Sequence, residues 1–148
     1  MSLSRKEKIL AEIKYRLEKK FPSVVIVEGT LESEVKSFPT IFIFDDAISC
    51  DYHKRTQYIK ILPLTVEYVF RASDVKRIRS EGQEKIRAVV QALELDEYLN
   101  YTKEGTSEKL ALSYSMKKEE VLVYAENIVD VVVEYQIKYA EDFSATLT

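Results

Sequence analysis

Cysteine, histidine and glycine are scarce in this sequence, and each scarcity excludes a class of site. The chain has one cysteine and one histidine, Cys50 and His53. It therefore has neither an internal disulfide nor the four Cys or His ligands that a structural zinc site usually takes. A lone cysteine suits a reducing compartment. The three glycines, Gly29, Gly82 and Gly105, are isolated, so they form neither a phosphate-binding loop nor a dinucleotide-binding fingerprint.

Long apolar runs are also missing. No stretch approaches the roughly 20 apolar residues that a membrane-spanning helix needs. No apolar segment follows the basic residues near the N-terminus, as it would in a secretory signal. We therefore expect a cytosolic protein with no membrane partner. The chain has 148 residues, of which 46% are hydrophobic and 32% are charged, and these values predict one globular domain over residues 1–148.

Charge is unevenly distributed along the chain. The net charge is -3, but residues 1–20 carry seven Lys or Arg and three acids, whereas residues 119–148 carry one Lys and seven acids. A basic amphipathic helix is usually a solvated face, and the acidic balance argues against sequence-specific nucleic-acid binding. Ends of opposite charge suit self-association, in which complementary patches meet between subunits.

The hydrophobic periodicity predicts an α+β fold with a mostly antiparallel sheet, a long β-hairpin and two helices on one face. The predicted order of elements is α-β-β-β-α-β-β. We expect helices at residues 4–20 and about 74–94, and strands at 24–28, 40–45, 57–71, 110–115 and 129–139. The remaining segments are a loop or weak extended piece at 30–37, a polar connection at 95–109, a turn at 117–120 and a loose tail at 141–148. The type of segment 121–126 stays open.

The strand at 57–71 changes its hydrophobic phase at Leu62-Pro63. Proline cannot donate a hydrogen bond to a neighbouring strand, so a bulge or a sheet edge is expected there. Beyond this point one row of side chains should face the core. The other row should face water, and it consists of Thr65, Glu67 and Arg71.

Gly82 falls on the apolar stripe of the second predicted helix. A helix break is one interpretation. The stripe keeps its phase across Gly82, which favours a close approach of the helix to the sheet instead, at a cost of about 1 kcal/mol in helix propensity relative to alanine.

The stretch FDDAISCDYH, residues 44–53, holds both Cys50 and His53 and is the candidate functional segment. A catalytic Cys/His pair needs hydrogen-bond contact and a third, orienting group, whereas Cys50 and His53 lie three residues apart in a predicted turn. Nearby acids also disfavour a reactive thiolate. A metal or nucleophile site is therefore disfavoured. A polar segment of about eleven residues, 46–56, instead joins two strands, which is long for a hairpin loop and typical of a binding arm. The candidate contact residues on this arm are Asp51, Tyr52, His53, Lys54 and Arg55.

The order of these elements resembles the tail-terminator (minor tail or tail-completion) proteins of long-tailed bacteriophages. The resemblance lies in the N-terminal helix SRKEKILAEIKYRLEKKFP, the segments FPTIFIFDD and LTVEYVFRASD, the helix AVVQALELDEYLN and the closing strand IVDVVVEYQIKYAED. It implies an α+β subunit of a homo-oligomeric ring, expected to be a hexamer, in the virion tail. The ring would cap the tail tube, end its polymerisation and present a surface for joining the head.

The resemblance implies no catalytic residues, no metal and no cofactor. The implied partners are other copies of the chain, the tail-tube protein and a head-completion or connector protein, with assembly in the host cytoplasm. One alternative is another head-tail connector, tail-completion or baseplate subunit. An alternative of a different class is a small cytosolic enzyme with a site near residues 46–56. The enzyme hypothesis requires Cys50 or His53, whereas the assembly hypothesis does not.

Overall fold

The computed structural model describes residues 3–29, 37–54 and 57–142, and for residues 51–54 and 142 it describes the backbone alone. The predicted segment 30–37 lies almost wholly outside the described residues. The helices are α1 (Arg5–Lys20) and α2 (Ile78–Leu93), and the strands are β1 (Val25–Glu28), β2 (Thr40–Asp45), β3 (Ser49–Lys54), β4 (Gln57–Arg71), β5 (Asn100–Tyr101), β6 (Glu108–Lys109), β7 (Ser113–Val123) and β8 (Ile128–Asp142). The predicted α+β class and element order are confirmed, with three further short strands, β3, β5 and β6.

Helix α1 follows from its local sequence. The Ser4 hydroxyl accepts the backbone N–H of Glu7 at 3.2 Å, which satisfies one of the free donors of the first turn. Ile9, Ile13 and Leu17, spaced four residues apart, are buried. The helix ends before Phe21, whose backbone is no longer helical because Pro22 follows.

The main sheet is mostly antiparallel and has the strand order β1-β2-β4-β8-β7. Only β1 and β2 run parallel, and their register begins with Val25 opposite Thr40. Strand β3 pairs with β4 on the same side as β2, so β2 and β3 lie one after the other along one side of β4. The other side of β4 pairs with β8 along its whole length.

Both helices pack on one face of this sheet. Apolar side chains of α1 and α2 belong to a single buried cluster with alternate residues of β4 and β8. The sheet residues of this core face are Leu62, Leu64, Val66, Tyr68 and Phe70 from β4 and Val129, Val131, Val133, Tyr135 and Ile137 from β8. The core therefore lies between the helices and the two longest strands, which are the two elements with the clearest period-two patterns.

The irregularity predicted at Pro63 is present, on one side of β4 only. The pairing of β4 with β8 continues through Pro63 without a shift. On the opposite side, β2 ends at Asp45 and β3 begins at Ser49, so the break between them faces Pro63. The backbone N–H of Asp46 donates to the Pro63 carbonyl at 3.1 Å. The missing N–H of proline thus points to the side where the neighbouring strand is interrupted.

Gly82 marks a close approach, as expected. A Cβ atom placed on Gly82 would lie 2.9 Å from a methyl carbon of Val121 in β7. Such a distance is too short for two carbon atoms, so α2 packs against β7 because position 82 has no side chain.

Three predicted connections are wrong in part. The predicted turn at 117–120 lies inside β7, which accommodates it by a register shift between Met116 and Lys118. The polar connection at 95–109 contains β5 and β6, which form a separate two-stranded sheet. Strand β8 continues to Asp142, so the predicted tail at 141–148 begins two residues inside a strand, and residues 143–148 lie outside the described part. Backbone pairing with a neighbouring strand determines all three.

Candidate assembly surfaces

The predicted polar loop at 46–56 is mostly strand β3. It pairs with β4 from Ser49 opposite Ile61 to Lys54 opposite Gln57, with a bulge at Asp51. The pairing leaves only two residues, 55 and 56, to connect the strands, which is the usual length for a hairpin. The prediction of a long hairpin holds, but the prediction of a long loop is wrong, because the partner strand β4 supplies ladder hydrogen bonds that the polar sequence does not reveal.

The structure locates part of the predicted contact set. The backbone places Asp51, Tyr52, His53 and Lys54 in β3, whereas Arg55 lies outside the described residues. The Cys50 thiol is exposed. Among the residues whose side chains are described, no group of three or more His, Cys, Asp or Glu side chains is arranged to hold a metal ion. In the described chain, no helix is both long and apolar enough to span a bilayer.

The hairpin is part of a three-stranded arm. Strand β7 begins pairing with β8 at Ser113 opposite Lys138, while β4 and β8 continue to Gln57 opposite Asp142. Beyond Lys138 the described sheet therefore contains only residues 50–54, 57–60 and 139–142, which we call the arm. An ion pair between Lys60 and Glu141, with 2.6 Å between nitrogen and oxygen, joins two of its strands. The arm is thus wider than the two-stranded hairpin that the sequence predicts.

The sheet face away from the helices, called here the open face, carries both apolar and polar residues. Alternate residues of β4 and its neighbours point to this face, and no described helix packs on it. The buried members are Thr40, Phe42, Glu67, Val69, Asp130 and Val132. These side chains are buried within the single chain, so they do not form an exposed apolar patch.

Two acidic side chains lie together within the open face. Glu67 of β4 and Asp130 of β8 are only 4% and 6% exposed, which contradicts the prediction that Glu67 faces water. Phe42 of β2 and Val132 of β8 flank Glu67 in the register, and these bulky neighbours help to bury it. Within the described residues, the buried atoms Glu67 Oε2 and Asp130 Oδ1 have no hydrogen-bond partner.

Burial and mutual repulsion raise the pKa values of this pair. Burial, together with the charge and hydrogen bond of Asp130, raises the pKa of Glu67 to about 7. Burial and the charge of Glu120 raise the pKa of Asp130 to about 6, although the hydrogen bond from Glu67 opposes this shift. The pair therefore holds a shared proton near neutral pH, because two ionised carboxylates without a cation cannot easily remain buried together.

A second buried acid is fully paired. Glu12 of α1 is 0% exposed and accepts hydrogen bonds from the Arg16 Nε atom at 2.6 Å and from the backbone N–H groups of Thr102 and Lys103 at 2.7 and 3.0 Å. The Thr102 hydroxyl also donates to Glu12 at 2.7 Å. Every oxygen of this carboxylate is thus satisfied, and the connection after α2 is tied to α1.

Arg16 completes this network on the other side. It donates to the Leu93 carbonyl at 2.8 Å, to Asp96 at 2.9 Å and to the Asn100 carbonyl at 2.9 Å. Burial lowers the pKa of the Arg16 guanidinium, but the hydrogen bonds to Glu12 and Asp96 outweigh it and leave the pKa raised. The sequence patterns above do not predict this network. Its only local signal is the spacing of Glu12 and Arg16, which places an acid and a base on one helix face.

Comparisons with known proteins address the fold. No protein-family model matches the chain, and no curated protein sequence matches it. The fold is similar to that of a chain in a solved structure described as "Virion of native gene transfer agent (GTA) particle". The TM-score is 0.61, and the match covers 95% of this chain and 100% of that chain at 7% sequence identity. At this identity the two chains share a fold, and the likeness extends over nearly their whole lengths.

Proposed function

We propose that this chain is a structural protein of a phage or prophage virion. The observation that carries the proposal is the shared fold with a chain of a gene transfer agent virion, complete for that chain and nearly complete for this one. More finely, we propose a tail terminator in which residues 1–148 form one domain. Copies of it form a ring, expected to be a hexamer, that caps the tail tube and ends its polymerisation.

The geometry supports an assembly role. A ring requires two different surfaces of one subunit to meet. The described chain offers two such candidates: an arm on one side of the sheet and a long outer strand, β7, on the other. Asp51, Tyr52, His53, Lys54 and Arg55 remain the proposed contact residues of the arm.

The proposed mechanism is binding without turnover. The ring would contact the tail-tube protein on one side and a head-completion or connector protein on the other. The protein would act in the virion tail after assembly in the host cytoplasm. Cys50 and His53 have no chemical role in this proposal, and we propose that the protein is not an enzyme.

Electron microscopy and light scattering of the purified chain test the proposal. We expect negatively stained rings, formed by the chain alone or upon mixing with tail-tube protein, and we expect tubes that stop elongating when the chain is added. The variant Cys50→Ser should behave like the natural chain. A chain that never self-associates and never binds tube protein would exclude the proposal. Rings that do not bind the tail tube would indicate another connector or baseplate subunit.

A further inference from the structure

The outer edge of β7 presents unpaired backbone groups. β7 is the last strand of the sheet, and no strand of the described residues pairs with its outer edge. The backbone N–H of Tyr124 donates to the Ile128 carbonyl on the inner side at 2.8 Å. Alternate residues of an antiparallel strand point their backbone groups to the same side. The N–H and C=O groups of Glu119, Val121 and Val123 therefore point outward.

A groove runs along this edge beneath helix α2. It has a volume of about 430 Å³ and is bordered by α2 on one side and by the end of β7 on the other. Its lining residues are Arg79, Gln83, Ile86, Glu119, Glu120, Val121 and Val123. A groove between a helix and an edge strand is a geometry in which extended segments add to a sheet: the strand supplies hydrogen bonds and the helix covers the added side chains.

We propose that strand β3 of a neighbouring copy adds to the outer edge of β7, in the groove against α2. The sheet of one copy then continues into the next. This inference rests on the proposed ring function and specifies the interface by which the ring closes. It follows from topology, because β3 pairs with β4 on the side opposite to β8, so the outer edges of β3 and β7 lie on opposite sides of the same sheet. Contact between unlike edges is heterologous and propagates head to tail until it closes.

Length and position favour β3 over the other strand on its side. β3 has six residues, and its charged residues are Asp51 and Lys54. The groove is likewise lined by both signs of charge, since Arg79 lies there with Glu119, and Glu120 forms an ion pair with Lys118. Strand β1, on the same side of the sheet, has four residues, VIVE, and no cation. β3 also belongs to the arm, which extends beyond the end of β7 and is therefore placed to reach another copy.

Proline substitutions on β7 test the backbone pairing. Proline at an outward-pointing position removes one outward N–H and leaves the hydrogen bonds to β8 intact. Val123 is suited to this change because it is 55% exposed. We expect Val123→Pro and Glu119→Pro each to raise the dissociation constant of self-association at least tenfold in sedimentation velocity. The matched control, Val123→Thr, keeps the N–H and the β-branched side chain and should assemble normally.

Circular dichroism and thermal unfolding show whether each proline variant is folded. Folded proline variants that form rings as well as the natural chain would overturn the β7 interface and leave the proposed function standing. A natural chain that does not self-associate, with or without tube protein, would overturn both. Loss of rings in folded proline variants, with rings retained in Val123→Thr, supports the interface.

Disulfide cross-linking identifies the donor strand, because Cys50 lies in β3 and is the only cysteine of the chain. We expect Val123→Cys or Glu119→Cys to give a ladder of linked copies under mild oxidation, and to give at most dimers when Cys50 is also changed to serine. Val25→Cys is the matched control, since Val25 is similarly exposed (52%) but lies in β1 on the other side of the sheet. A ladder from Val25→Cys alone, or from none of the variants while rings form, would exclude β3 as the donor.

Discussion

The molecule buries acidic side chains in two places and compensates them in opposite ways. Glu12 lies between the helices and the connection after α2, and hydrogen bonds from Arg16, Thr102 and Lys103 satisfy it. Glu67 lies on the open face beside another acid, Asp130, and each has a buried oxygen without a hydrogen-bond partner. Both acids are almost completely removed from water, so burial alone does not distinguish them. The difference is the presence or absence of a cation and of backbone donors.

This difference indicates different roles. A buried carboxylate that receives several hydrogen bonds fixes the elements that supply them, here α1 and residues 93–103. A buried like-charged pair destabilises the isolated chain, since each charge loses hydration and gains no opposite charge. Such a pair calls for an explanation outside the stability of the single chain.

The largest expected effect comes from breaking the paired region. Arg16→Met leaves Glu12 buried without its cation and should lower the free energy of unfolding by about 3–5 kcal/mol. Urea denaturation measures this change. Lys14→Met is the matched control in the same helix, because Lys14 makes no ion pair among the described residues, and it should change stability by less than about 0.5 kcal/mol. The double change Glu12→Leu/Arg16→Met should be less destabilising than Arg16→Met alone. Equal losses for Arg16→Met and Lys14→Met would contradict the structural role of the network.

The second largest effect comes from removing the charge of Glu67, and its size depends on pH. The pKa of Glu67 is raised to about 7, so the folded chain keeps a proton that the unfolded chain loses near pH 4.5. The contribution of Glu67 to stability is therefore fully present below about pH 4.5, is lost as pH rises to about 7 and stays absent above it. Among the described residues, the groups that shift the pKa values of this pair are Glu67 and Asp130 themselves and Glu120, and none of them is a cation.

We accordingly expect Glu67→Gln to reduce the loss of stability between pH 4.5 and 7. At pH 8 it should raise the free energy of unfolding by about 2–3 kcal/mol. Unfolding by urea at several pH values between 4 and 9 measures it. Glu134→Gln is the control, because Glu134 lies in β8 on the same face of the sheet as Glu67. This variant should lose stability with rising pH as the natural chain does. If Glu67→Gln instead destabilises the chain at pH 8, the carboxylate has a stabilising partner and the comparison fails.

The smallest effect is the difference in stability between losing a hydrogen bond to a charged acceptor and losing one to a neutral acceptor. Thr102→Val removes the hydroxyl that donates to Glu12 at 2.7 Å and should cost about 1.5–2 kcal/mol, since hydrogen bonds to charged groups are the stronger ones. Thr106→Val removes a hydroxyl that donates to the Tyr101 carbonyl at 3.0 Å and should cost about 0.5–1 kcal/mol. Thermal unfolding of both variants provides the comparison. A larger loss for Thr106→Val would mean that the Glu12 carboxylate does not carry the network.

Local patterns explain which elements the sequence predicts well. Helix α1 has a capping serine, an apolar stripe and a terminating proline, all within 22 residues. The strands at 40–45 and 57–71 are predicted with their observed bounds because apolar residues dominate them between polar ends. The polar strand β3 is missed, since only its pairing with β4 makes it a strand. Of the candidate contact residues, residues 51–54 lie in a strand rather than in the predicted loop, and their role in contacts between subunits stays a prediction.

The sequence by itself determined the α+β class, the two helices and the long strands, because the period of the apolar residues is visible among residues close together in the chain. Only the tertiary structure determined whether each buried acid is paired. Glu12 finds Thr102 some ninety positions away, and Asp130 lies beside Glu67 only because β4 and β8 pair. A carboxylate is paired or unpaired according to what the fold brings within about 3 Å of it, and a linear sequence does not contain that distance.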